Sequence, residues 1–118
     1  MTQEDIELLL KDLCTRLPFK VKILVNDKIE SLQGINILDN VVEYGSFLSC
    51  NIEEVKPYLF PLSSMTEEQK SQYNFYLTRI VFAYDASLLI DWLNKNCFDY
   101  RGLIKKGLAI DATGLNIY

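Results

Sequence analysis

The sequence predicts an α+β fold: an N-terminal helix, a small antiparallel sheet of the SH3-like or half-open barrel kind, and two to three C-terminal helices. Three observations predict it. Ile6, Leu9, Leu10, Leu13 and Leu17 recur at the spacing of one buried helix face. Residues 21–51 then change to a period-two pattern cut repeatedly by turn signals. From Thr66 onward helical spacing returns behind a capping motif. At 118 residues and 49% apolar content, the chain can build one core without metal or disulfide staples. It reads as a single domain, residues 1–118, in four parts: a helix over 1–17, a sheet or barrel part over 19–56, a proline junction over 57–65 and a helical part over 66–118.

Each element has a local cause. Thr2 can cap the first helix, and Glu4 and Asp5 suit the positive end of its dipole. Pro18 ends it, because the residue before a proline avoids the helical region. Val21, Ile23 and Val25 alternate with Lys20, Lys22 and Leu24, as on a half-buried strand. Asn26-Asp27-Lys28 is a turn signal. Residues 29–38 resume the strand, with Leu32, Ile35 and Ile37 around Gly34, where a bend or bulge is expected. Asp39-Asn40 and Gly45-Ser46 bracket a short strand over 41–44, and 47–51 forms another.

Pro57 and Pro61 each remove a backbone donor, so residues 55–62 are expected to run extended, leaving the sheet for the helical half. Thr66 and Gln69 match the capping box. The helix behind them carries Tyr73, Tyr76, Leu77, Ile80, Val81 and Tyr84 on a face read as core. Asp85 can cap a further helix with Leu88, Leu89, Trp92 and Leu93 buried. Asp99 can cap one more short turn over 100–106, with Gly107 at its left-handed end. Residues 108–118 have no clear period and read as coil or a short edge strand.

Composition excludes several chemistries. The chain has no histidine, so His-dependent triads, Cys-His nucleophiles and His-containing zinc or haem sites are absent. Cys14, Cys50 and Cys97 are three widely spaced cysteines without a C-x-x-C pair, which fits free buried thiols in a reducing cytoplasm. Glu4 and Asp5 stand where a secretory signal would carry positive charge, and no apolar run approaches the ~20 residues of a bilayer span. A cytoplasmic protein with no membrane partner is expected. No G-x-G-x-x-G or Walker loop is present to cradle phosphate, and no cofactor is expected. The formal charge of −4 is uneven: residues 1–59 hold 6 basic and 10 acidic side chains, residues 60–118 hold 6 of each. An acidic front half opposes the phosphate neutralisation that nucleic-acid binding requires.

Two stretches resemble a known group. Residues 56–68 (KPYLFPLSSMTEE) and 91–109 (DWLNKNCFDYRGLIKKGLA) are similar to a family of small uncharacterised proteins of gut bacteria and their phages or mobile elements. In that family the strands before the prolines and the helices after them recur in the same order, so the resemblance covers most of the chain. It implies an accessory protein of phage or mobile-element type and carries no established activity. Phe60 stands where the family often has arginine, so no charged role transfers to that position.

The residues themselves give two candidate interaction regions. Phe98, Tyr100 and Arg101 lie around the Asp99 turn, and Tyr and Arg are enriched at binding hot spots. The competing reading makes this a structural corner: Asp99 caps, Phe98 and Leu103 anchor, and Arg101 pairs with an acid. Tyr58 and Phe60 belong to an apolar run that is either an exposed patch or a staple between sheet and helices. Asp85 and Asp91 would stand about 240° apart on one helix, which does not make a paired-carboxylate catalyst. The function expected is a non-catalytic protein-interaction protein, binding a protein partner or itself. The alternative is a small nucleic-acid-binding barrel using Lys20, Lys22 and Lys28. An enzyme built on carboxylates or Cys97 stands third, because no general base is recognisable.

Overall fold

The computed structural model describes residues 1–118 and has the expected α+β architecture. Helix α1 (Gln3–Arg16) starts at a reciprocal cap, with the Thr2 hydroxyl accepting from the Asp5 amide and the Asp5 carboxylate accepting from the Thr2 amide. Pro18 opens a single tight turn (Leu17–Phe19), and Lys20 reverses the chain at a φ of 58°.

Strands β1 (Lys22–Val25) and β2 (Lys28–Asn36) then form a two-residue hairpin. Asn26 and Asp27 both take positive φ, 51° and 62°, which matches the right-handed twist of the strands they join. The expected irregularity in β2 is a register shift between Leu32 and Gly34. β2 ends at Asn36, and its side chain accepts from the amides of Leu38 and Asp39 to close the next turn. Ile37, expected as a strand residue, therefore sits in that turn at 60% exposure. β3 (Val41–Tyr44) and β4 (Leu48–Asn51) complete the meander.

The proline junction corrects the sequence reading. Residues 56–61 are extended but do not leave the sheet; they form its strand β5 (Lys56–Pro61). β5 pairs antiparallel with β1 through Pro57 and Lys56, and parallel with β6 (Phe98–Asp99) and β7 (Ile110–Asp111). The backbone groups that remain are used: the Phe60 amide donates to the Cys97 carbonyl, and the Leu59 carbonyl accepts from the Ala112 amide. Tyr58 and Leu59, adjacent in sequence, are both buried, as in a strand covered on both faces. The strand order is β4-β3-β2-β1-β5-β6 with β7 beside β5, so the sheet is open and no barrel closes. Strand β5 draws its further partners from the C-terminal segment, and β4 never returns to it.

Two helices follow, α2 (Glu67–Leu77) and α3 (Ala83–Lys95). The expected Thr66–Gln69 capping box starts α2. Asp85 lies in the first turn of α3, where its carboxylate accepts from the amides of Val81 and Phe82. The segment after β6 is a turn, not a third helix: Leu108 donates to the Leu103 carbonyl and Gly107 to that of Ile104, with Gly107 at a φ of 75°.

The core divides in two. A larger cluster joins Ile6, Leu9 and Leu13 of α1 to Val21, Ile23, Val25, Val42, Leu59 and Leu103. A smaller one holds Met65, Leu89, Leu93 and Phe98, with Tyr73, Tyr76 and Trp92 against it. Phe60 packs against both. The aromatic face expected as core is a second correction. Tyr73 and Tyr76 reach Trp92, at ring separations of 6.4 and 6.2 Å, but Leu77, Ile80, Val81 and Tyr84 are exposed and α2 buries no residue fully. The α2 helix ends at Leu77, so the later residues leave its periodic face. Leu88, expected as buried on α3, is 37% exposed.

Candidate interaction surfaces

The Asp99 turn is organised from within. The Asp99 carboxylate accepts from the amides of Leu103 and Ile104, both at 2.9 Å. Phe98 and Leu103 are buried at 1% and 0% exposure and anchor its two ends. Phe98 stacks on Trp92 with centroids 5.6 Å apart and meets Phe60 edge-on.

Arg101 points back to α1. Its Nη1 donates to Asp12 Oδ1 at 3.1 Å, to Thr15 Oγ1 and to the Tyr100 hydroxyl. Asp12 is fully buried and also receives Arg16, through Nε at 2.8 Å and Nη2 at 3.1 Å. Arg16 is itself at 0% exposure, and its Nη2 also donates to the Phe98 carbonyl at 2.7 Å. Both guanidiniums lie against the Tyr100 ring, at 5.2 Å for Arg16 and 4.7 Å for Arg101. The Tyr100 hydroxyl donates to Asn94 of α3. One carboxylate thus ties two arginines, one of α1 and one of the Asp99 turn, the Tyr100–Asn94 bond adds α3, and Arg16 Nη1 is the one buried side-chain polar atom left without a partner.

This geometry matches the structural reading of the corner. Of the five candidate residues, Tyr58 and Phe98 are buried, Phe60 is half-buried between two core clusters, and Tyr100 and Arg101 are half-buried and engaged with Asp12 or Asn94. Phe60, Phe98 and Tyr100 share one neighbourhood; Tyr58 is set apart, its carbonyl accepting from the Tyr118 hydroxyl. That hydroxyl also accepts from the Lys22 amide, so Tyr118 bridges β1 and β5 from the C-terminal tail. Burial pushes its phenol pKa well up.

The other chemistries find little footing. Cys97 is buried, and burial pushes its thiol pKa up, which keeps it protonated and weakly nucleophilic. No three Cys, Asp or Glu side chains converge as a metal site. Among the basic residues of the nucleic-acid alternative, Lys22 donates its ammonium to Ser31, while Lys20 and Lys28 are exposed at opposite ends of β1. No helix is long and apolar enough to cross a membrane.

The surface that sequence reasoning missed is the α2–α3 hairpin. Phe75, Leu77, Ile80, Val81, Phe82, Tyr84, Leu88 and Ile90 are all exposed, with Val81 at 76%, Phe82 at 74% and Tyr84 at 71%. Within residues 75–90 the only charged side chains are Arg79 and Asp85. Arg79 lies flat on Phe75 at 3.8 Å, and Asp85 is held by its capping bonds. A groove between the helices is lined by Gln72, Phe75, Tyr76, Trp92 and Lys95. The signal was present in the sequence: Ile80-Val81-Phe82 is a continuous apolar run that no single helix face can bury. Comparison with protein-family models, with curated proteins and with solved structures gives no match.

Proposed function

We propose that this chain is a non-catalytic, cytoplasmic protein-interaction domain that docks through its α2–α3 hairpin. The observation that carries the proposal is the end of the hairpin over residues 75–90: eight large apolar side chains exposed in a stretch that holds only two charges. Solitary exposed hydrophobics are normal on a folded protein, whereas contiguous apolar patches mark binding sites.

The Asp99 corner and Phe60 serve this surface from behind. Phe98 and Phe60 support Trp92, and Tyr100 holds Asn94 near the C-terminal end of α3. Docking by the hairpin would use Tyr100 and Arg101 as supports and leave Tyr58 in the sheet.

The test is affinity capture from the native host with the wild-type chain and with a Val81→Glu/Phe82→Glu variant, alongside light scattering for self-association. The expected result is association by the wild type that the variant loses while its circular dichroism is unchanged. A wild-type chain that associates with nothing, itself included, would refute the proposal.

A further inference from the structure

We propose that the groove between α2 and α3 binds a proline-rich segment of another protein in its extended, left-handed polyproline form. The site shares Phe75 with the exposed 75–90 stretch and otherwise rests on different side chains, so it stands or falls separately from the docking reading. Three observations carry it.

The first is shape. Gln72, Phe75 and Tyr76 recur at i, i+3 and i+4 on α2, and Trp92, Lys95 and Asn96 repeat that spacing at the end of α3. Each helix presents one face, and the two faces enclose a groove of about 510 Å³. That volume lies within the ~300–1,000 Å³ of ordinary ligand sites. The lining on α2 runs from Ser71 to Tyr76, a rise of roughly 7.5 Å at about 1.5 Å per residue. One three-residue turn of a polyproline helix covers about 9 Å.

The second is a fixed aromatic wall. Trp92 stacks on Phe98 at 5.6 Å and meets Tyr76 at 6.2 Å. Phe75 stands perpendicular to Tyr76 at 5.7 Å and is held by Arg79, 3.8 Å over its ring. Rings already braced lose little freedom when a ligand lands on them. Proline rings pack on such walls, and the polyproline form is itself preformed, so neither side has much ordering left to undergo.

The third is hydrogen bonding. Both helices use their backbone groups internally, so the groove offers no strand edge and only side-chain partners. Neither the Trp92 indole N–H nor the Tyr76 hydroxyl has a partner within the chain, and neither is shut off from water. Gln72 and Lys95 are exposed, and none of the three ion pairs uses Lys95. No carboxylate lines the groove. The site is rich in donors. An ordinary extended peptide would bury N–H groups with few acceptors to meet them, whereas proline has no N–H and leaves carbonyls that need donors. The chain's own prolines are engaged, Pro57 and Pro61 in β5 and Pro18 in the turn after α1. A second copy offers no such segment, so the ligand belongs to another protein.

Trp92 is the chain's single tryptophan, and its fluorescence reports on the groove directly. Titration with a blocked oligoproline peptide should change the emission saturably, while a glycine–serine peptide of equal length should not. Phe75→Ala should raise the dissociation constant about tenfold and Gln72→Ala should raise it less, both positions being exposed. Val81→Glu/Phe82→Glu should leave it unchanged. Should one alanine variant disturb the fold by circular dichroism, the other carries the test. No saturable change up to millimolar peptide, an equal response to the glycine–serine peptide, or binding that both alanine variants retain in full overturns the proposal. Loss of peptide binding in the Val81→Glu/Phe82→Glu variant alone overturns the groove and leaves the docking reading in place. Emission that shifts with protein concentration and not with oligoproline assigns the groove to a second copy and overturns it too.

Discussion

Asp12→Asn should be the most destabilising conservative substitution in the chain. Asp12 accepts three hydrogen bonds, two from Arg16 and one from Arg101, and none of its surface meets water. The asparagine keeps the shape, removes the charge and turns an amide NH2 toward guanidinium donors. Arg101 can adapt, because its side chain is 15% exposed and can turn outward. Arg16 cannot: it is at 0% exposure, already has Nη1 without a partner, and would be a buried cation facing a neutral amide that has one accepting oxygen in place of two. Removing one member of a buried ion pair costs about 3–5 kcal/mol, most of it from the stranded charge. Against a typical total stability of about 5–15 kcal/mol, that is a large share.

Urea denaturation followed by circular dichroism measures the loss. With an m-value of about 2 kcal/mol/M, the midpoint should fall by roughly 1.5–2.5 M. The companion variant is Asp12→Leu/Arg16→Met, which removes both buried charges together. It should recover most of the loss, because well-packed apolar replacements of buried ion pairs are often neutral or stabilising. A loss below about 1 kcal/mol for Asp12→Asn, or a double variant less stable than the single one, would refute the reasoning, since Arg16 would then have found water or another partner.

Tyr118→Phe removes the hydroxyl between Lys22 and Tyr58 and should cost about 1–3 kcal/mol for two hydrogen bonds, read by thermal melting at neutral pH. The raised phenol pKa adds a pH signature: above about pH 10 the unfolded tyrosine ionises while the folded one stays neutral, so the unfolded state binds fewer protons and stability falls as pH rises. That alkaline slope should be shallower in the phenylalanine variant. Asp99→Ala frees two amides at a buried corner and should destabilise by about 1–3 kcal/mol; an unchanged denaturation midpoint would contradict the corner's role. Gly107→Ala should cost only about 1 kcal/mol in melting experiments, because an added Cβ meets nothing within 4 Å and only the left-handed backbone resists it. Cys97 should react with thiol reagents more slowly than a free peptide cysteine, being 4% exposed with its pKa pushed up; a faster rate would revive a reactive-thiol role.

The legible parts of the fold were those set by neighbours in sequence. The α1 stripe, the Val21–Ile23–Val25 alternation, the Asn26-Asp27 turn, the Thr66–Gln69 cap and the Gly107 ending all follow from local spacing and backbone preference. What escaped depended on distant segments. The prolines at 57 and 61 read as a departure from the sheet because each lacks a donor. Yet β5 needs few of its own donors: between them Tyr58, Leu59 and Phe60 serve three different partner segments. The strands β6 and β7 have two residues each, too short for any period to register. Asp12 and Arg16 were not singled out in the sequence, though their four-residue spacing lies beside Leu9 and Leu13 on the buried face. That position was the available signal for an internal ion pair.

The hairpin's exposure has the same origin as its expected function. The sheet's larger cluster is filled by α1 and by the segment after β6, which delivers Leu103, Leu108 and Ala109 to it. Little apolar surface is left on the sheet for α2 to cover. The helix therefore touches the body chiefly through Tyr73 and Tyr76, which reach Trp92 of α3 and the small cluster of Met65, Leu89, Leu93 and Phe98. An 11-residue helix is marginal in water without tertiary packing, so its capping box and this aromatic contact must carry it. A second apolar surface laid on Phe75, Val81, Phe82 and Tyr84 would supply the packing that the chain does not provide. It follows that association and α2 stability are thermodynamically linked. Amide exchange in α2 should slow as the oligoproline peptide is added, while exchange in β1 and β5, already enclosed, should not respond. Equal slowing in all three elements would place the contact somewhere other than the hairpin.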